Sequence, residues 1–87
     1  MSQSKAYSIT VPLVATALST LCADLPTHRM ILSTLKTNAG TVYVGDANEQ
    51  PHELDALDSM TYYGLLSSTF VRGSVAGQTL AVSAFWS

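Results

Sequence analysis

Turn-forming residues recur about every ten positions along this chain, so the runs between them suit strands or a single short helix and nothing longer. Pro12, Pro26, Asn38-Ala39-Gly40, Gly45, Pro51, Gly64, Gly73 and Gly77 supply the punctuation. Several of the intervening runs alternate apolar residues with Ser or Thr, the period-2 pattern of a strand with one face buried. The chain has 87 residues, enough for one small domain. The predicted organisation is a flexible N-terminal arm over residues 1–5 and a single β domain over residues 6–87.

Residues 6–11 form the first predicted strand, with Tyr7, Ile9 and Val11 on one side and Pro12 ending it. Leu13, Val14, Ala17, Leu18, Leu21, Cys22 and Leu25 then recur at helical spacing between Pro12 and Pro26. That spacing predicts a helix of two to three turns. Thr16, Ser19 and Thr20 are indifferent helix formers, and an irregular or extended connection is the alternative. Residues 29–36 read as a strand, 38–40 as a tight connection, and 41–44 as the returning strand of a hairpin closed by Gly45. Residues 46–58 read as a long solvated acidic loop. Strand character resumes over 60–63 and 65–66, and again over 69–72. A turn at 75–78 leads to the last strand, 79–86, with Leu80, Val82, Ala84 and Trp86 on one face. The fold class is therefore mainly β: a small antiparallel β-sandwich or barrel of six to eight short strands, with at most one short helix near residues 13–24.

Charge excludes several ways of life. Charged residues make up 11% of the chain, against roughly 25% in an average soluble domain. Mean hydropathy is +0.25, and 11 Ser and 10 Thr supply the polarity that charge does not. Net charge is −2, and only Lys5, Arg29, Lys36 and Arg72 could meet phosphates, so no nucleic-acid partner is expected. The uncharged run 6–23 is too polar for a membrane span, and Leu21 before Cys22 does not suit a lipoprotein signal; no membrane partner is expected. A single cysteine excludes an internal disulfide framework. A small body with so few charges is expected to lie against other subunits.

The order of motifs resembles a known class of proteins. A Val/Thr strand and a leucine-rich step precede Ala23-Asp24-Leu25-Pro26. An apolar strand leads to Asn38-Ala39-Gly40-Thr41-Val42-Tyr43-Val44-Gly45-Asp46. The chain closes with Gly73-Ser74-Val75-Ala76-Gly77-Gln78-Thr79-Leu80-Ala81-Val82 and a late Trp86. Over residues 6–86 this is similar to the small β-sandwich virion proteins of tailed bacteriophages, namely capsid decoration (cement) proteins and head-fibre or tail-fibre components. Residues 51–59 depart from the turn those proteins carry. The resemblance implies a structural protein without catalysis or cofactor, made in the host cytoplasm and placed on the outer capsid surface of the virion. Its partners would be the major capsid protein and its own copies, as trimers by analogy. It would stabilise the assembled head by bridging subunits. Gly40 and Gly45 would serve the first hairpin, and Gly77 the turn of a terminal hairpin. A tail or fibre component of the virion is the alternative, and a small sugar- or peptide-binding β-module is a further one.

Few residues suggest chemistry. His28 and His52 are the only histidines, no Gly-x-Ser-x-Gly elbow accompanies them, and no catalytic residues are assigned. Asp46-x-Asn48-x-Gln50 opens like a calcium loop, but Pro51 and Leu57 stand where an EF-hand needs Gly and Glu. No metal site is assigned; a cation held by Asp46, Asp55 and Asp58, or docking of this loop onto a basic neighbour, stays open. Cys22 reads as a small hydrophobe. Interface candidates are Tyr7, Tyr62, Tyr63, Arg72, Phe85 and Trp86, because aromatic and Arg side chains give large contact area at low entropy cost.

Overall fold

The computed structural model describes residues 3–23, 26–35 and 38–86. Its elements are β1 (Gln3–Thr10), β2 (Thr16–Ala17), α1 (Leu18–Leu21), β3 (Arg29–Thr34), β4 (Val42–Gly45), β5 (His52–Leu54) and β6 (Ser59–Tyr62). A 3-10 turn at Leu66–Ser68 then leads to β7 (Phe70–Gly73) and β8 (Thr79–Trp86). The strands make two four-stranded sheets, β1-β8-β3-β6 and β2-β7-β4-β5. All pairings are antiparallel. The protein is mainly β, as its punctuation predicts. Every connection except β4–β5 crosses from one sheet to the other, the double-sheet arrangement of a jelly roll. No described helix is long and apolar enough to cross a membrane.

The core lies between the sheets and follows the period of the strands. Ile9 and Val11 enter it from β1 and its end, Met30 and Leu32 from β3, Val42 and Val44 from β4, and Val71 from β7. β8 contributes Leu80, Val82 and Ala84, each fully buried, and is paired on both sides, with β1 and with β3. Burying one such aliphatic side chain is worth about 1.5–3 kcal/mol. The polar residues of the opposite register face outward, with Ser4, Ser8 and Thr10 of β1 exposed.

Several sequence expectations are corrected. The arm over residues 1–5 is, from Gln3 on, the first part of β1, because Gln3, Ser4 and Lys5 pair with Trp86, Phe85 and Ala84; Met1 and Ser2 lie outside the described residues. The helix shrinks to the single turn Leu18–Leu21. Extended Thr16 and Ala17 gain a ladder with Val71 and Phe70 instead, and the Thr16 hydroxyl donates to the Val14 carbonyl (2.8 Å), a local bond that competes with helix. The expected hairpin between residues 29–36 and 41–44 does not form: β3 and β4 lie in different sheets. Lys36, Asp24 and Leu25 fall outside the described residues. The terminal hairpin fails for the same reason, since β7 and β8 belong to opposite sheets. Leu65 and Leu66 leave the strand. Gly64 turns the chain with φ +147°, and the buried Thr69 hydroxyl closes the following turn on the Leu65 carbonyl (2.9 Å).

The expected acidic loop contains a strand. β4 pairs with β5 through Val42–Leu54, Tyr43–Glu53 and Val44–His52, which buries Leu54. The carboxylate of Asp46 organises the turn between them by accepting the N–H groups of Asn48 and Glu49, both at 2.8 Å. Gly45 is needed there by close approach: a Cβ would meet the Gln50 Cα at 2.6 Å and the Glu49 carbonyl closer still. Gly40 packs against Ser74 and Val75 rather than serving a hairpin.

Two outcomes are expected. The Glu49 and Asn48 N–H groups hold the Asp46 carboxyl below its ordinary range, about 3.9 in unfolded chains. The stabilisation is present above the unfolded pKa and is lost as pH falls through the lower folded value. Titration of Asp46 followed by NMR should show a midpoint below that range, and Asp46→Ala should remove this part of the acid sensitivity. Gly77 sits at φ +81°, with open space where a Cβ would point. Gly77→Val should therefore cost backbone strain alone, about 1–2 kcal/mol, or a Tm lower by roughly 4–8 °C per kcal/mol. Gly77→Asn should lose less, and an unchanged Tm for the Val variant would refute the requirement.

Candidate functional site: an apolar pole

The two ends of the sandwich differ in chemistry. At one end Thr10 closes β1 opposite Thr79, and Thr34 closes β3 opposite Leu80. Val42 begins β4 there, opposite Gly73 and Leu54, the last residues of β7 and β5. The loops 11–15, 55–58 and 74–78, with Leu35 and residues 38–41, therefore gather at one pole.

Their polar groups are spent on one another. Val11 N–H donates to the Gln78 carbonyl and Gly73 N–H to the Pro12 carbonyl, both at 2.8 Å. Ser74 N–H donates to the Thr41 carbonyl (2.9 Å), and Thr41 N–H returns to Ser74 Oγ (2.9 Å). The Asn38 amide brackets Thr79, donating to its carbonyl at 2.9 Å and accepting its N–H at 3.0 Å. Thr34, at the end of β3, bonds the 55–58 turn: its N–H donates to the Asp58 carbonyl (2.9 Å) and its hydroxyl to the Asp55 carbonyl. Buried Gln78 sends its Nε2 to the carbonyls of Thr41 (3.0 Å) and Val75 (3.3 Å).

The aliphatic side chains of the same loops point outward. Leu13 is 56% exposed, Val14 75%, Leu35 42%, Leu57 73% and Val75 40%. Leu57 is also the only described non-glycine residue at positive φ, +64°. It occupies the third position of a turn that Asp58 N–H closes on the Asp55 carbonyl (3.1 Å) and that Asp58 Oδ2 braces from the Asp55 N–H (2.8 Å). Gly or Asn fits that position without strain, whereas Leu costs about 1–2 kcal/mol. Packing does not offset that strain, because the Leu57 side chain faces solvent.

The opposite end carries a second, smaller patch. Tyr63 is 73% exposed and Leu65 49%. Gly64 N–H donates to the His28 carbonyl (3.3 Å) and His28 N–H to the Phe85 carbonyl (3.1 Å). The Thr27 hydroxyl adds a bond to the Gly64 carbonyl (2.8 Å). Exposed His28 and Arg29 lie beside this loop, and the Arg29 guanidinium covers the Phe85 ring at 4.5 Å.

The six interface candidates from the sequence are scattered, not assembled. Tyr7, Tyr62 and Trp86 pack partly buried against the core, and the Tyr62 ring meets His52 edge-on across the sheets at 5.9 Å. Arg72 lies over the Tyr43 ring at 4.1 Å and donates from Nε to Gln50 Oε1 (3.1 Å), on the outer face of β7. Phe85 lies under Arg29. Only Tyr63 is largely exposed. The three acids considered for a cation are turn braces: Asp46 at one end, Asp55 and Asp58 at the other, with Asp55 Oδ1 accepting the Thr41 hydroxyl at 2.7 Å. No metal-ligand group of three His, Cys, Asp or Glu residues forms among the described residues. The Cys22 thiol is half-buried and donates to the Leu18 carbonyl (3.0 Å), and burial pushes its pKa up.

Sequence reasoning missed the apolar pole. It placed Leu13 and Val14 on a helix face, Leu35 in a strand, Leu57 in a solvated loop and Val75 in a turn. The one available signal was Leu57 itself, an aliphatic between two acids in a turn.

No protein-family model matches the chain, and no curated protein sequence matches it. A solved structure described as "Bacillus endospore appendages form a novel family of disulfide-linked pili" superposes on it with a TM-score of 0.56. The match covers 100% of this chain and 87% of that one, at 12% sequence identity. At that identity the likeness is one of fold.

Proposed function

We propose that this chain is a non-catalytic structural subunit that works inside a larger protein assembly, with its apolar pole as the docking surface. Following the resemblance to phage virion proteins, the assembly is a bacteriophage head, which the chain decorates from outside by binding the major capsid protein and its own copies. The observation that carries the reading is the pole. Five aliphatic side chains on four loops face solvent, one of them held there by a strained backbone.

Magnitudes fit a lattice component better than a tight one-to-one binder. Covering these half-exposed side chains yields on the order of 4–9 kcal/mol, against an association cost of about 4–15 kcal/mol. One contact alone is marginal, whereas several contacts per copy on a repeating surface add through effective concentration. The weak charge of the chain fits the same life, because little repulsion has to be overcome when copies crowd together.

A second reading, a subunit of a filament such as a tail, fibre or pilus, draws on the likeness to an endospore appendage pilus. It needs a non-covalent joint here. The sequence holds one cysteine, and one thiol joins two copies but not a continuous string.

Expanded empty phage capsids, incubated with the purified protein and sedimented, test the reading. Saturable retention is expected. Val14→Ser with Leu57→Asn should weaken it at least tenfold, about 1.4 kcal/mol, and Leu57→Asn alone should raise Tm by relieving the positive φ. Retention of the double variant equal to wild type refutes the pole. Binding only to tails selects the second reading, and glycan binding by a monomer that no particle retains refutes both.

A further inference from the structure

The two ends of the sandwich are complementary in chemistry as well as opposite in position. The described charges of the apolar pole are Asp55 and Asp58, both exposed, whose carboxylates accept from neutral donors, Thr41 Oγ1 and the Asp55 N–H. At the far end exposed His28 and Arg29 stand beside Tyr63 and Leu65. Asp46 and Glu49 also lie at that end, on the turn between β4 and β5 in the other sheet, and the Asp46 carboxylate is occupied by two backbone N–H groups. Asp55 and Asp58 beside the aliphatics at one pole thus have a counter-charge in Arg29, beside Tyr63 and Leu65, at the other.

Resting on the reading of the pole as an association surface, we infer that its partner is the Tyr63–Leu65 end of a second copy of this chain. The contact is heterologous: each copy offers one end and receives at the other. A symmetric contact of pole against pole would set Asp55 and Asp58 against their own equivalents, and like charges across an interface disfavour it. Opposite ends of the same strands relate successive copies mainly by translation along the strand direction, so association continues from copy to copy. Tyr63 supplies the large amphipathic ring that central contact residues tend to have, and Leu13, Val14 and Leu57 form the surface it meets.

Sedimentation velocity of the purified full chain, from micromolar to millimolar, tests this with two variants. Wild-type mass should rise with concentration, and rise less at high salt, since exposed charges are screened. Val14→Asp blocks the pole and leaves the Tyr63 end intact; Tyr63→Asp does the reverse. Each variant alone should remain monomeric, while an equimolar mixture should form a heterodimer that grows no further. Wild-type protein that stays monomeric, a single variant that associates like wild type, or a mixture that stays monomeric overturns the inference. Circular dichroism checks that both variants are folded. If wild type stays monomeric but capsids still retain it, the docking role of the pole survives and the copy-to-copy contact falls.

Discussion

Crossing between two sheets at every connection but one obliges this chain to anchor its loops with care. Backbone carbonyl and N–H groups at the end of a sandwich cannot all pair in ladders, and those left buried without partners are costly. Here the four loops at one pole satisfy each other through Val11–Gln78, Pro12–Gly73, Thr41–Ser74, Asn38–Thr79 and Thr34–Asp58. Polar groups turned inward leave aliphatic side chains as the outward coat. The apolar pole is thus a by-product of how the crossovers are stitched, sharpened at Leu57 by a backbone conformation that Leu disfavours.

The same stitching explains which polar residues are buried. Thr27, Thr34, Thr69 and Gln78 are nearly inaccessible, and each bonds a carbonyl on a neighbouring turn: Gly64, Asp55 and Asp58, Leu65, Thr41 and Val75. Their short or amide side chains do the work that charged groups do in more polar proteins. Gln78 Oε1 alone among the described buried side-chain atoms lacks a partner. Two of the described cations lie over rings of the facing strand, Arg29 on Phe85 and Arg72 on Tyr43. Both are directly opposed cross-strand pairs, and each such contact is worth about 0.5–1 kcal/mol at an exposed site.

Weak charge, satisfied loops and exposed aliphatics point in one direction. A surface short of ionic repulsion and capped by apolar side chains is suited to lie against a neighbour. The likeness to a chain of an endospore appendage pilus is one of architecture, and function rests on the surface a fold carries rather than on the fold.

The strand periods were legible in the sequence wherever one face is buried. Ile9 and Val11, Met30 and Leu32, and Leu80, Val82 and Ala84 fall inside as alternation requires, because the hydrophobic effect acts on every second side chain of a strand whatever its partner is. Gly77 was legible as well, since a turn needing positive φ advertises itself by glycine. Partner choice was not: β3 and β4 look like a hairpin in sequence, yet each gains more by pairing within a different sheet. Leu13 and Val14 carry helical spacing, yet the ladder of Thr16 and Ala17 with β7 is a contact between residues over fifty positions apart, invisible to any local pattern. The sequence by itself therefore determined the class of fold, the inward faces and the scarcity of charge, all of which depend on composition and period. Only the tertiary structure decided which strands meet and which loops share an end, and hence that five unrelated aliphatics form one pole, because those are consequences of long-range pairing rather than of local chemistry.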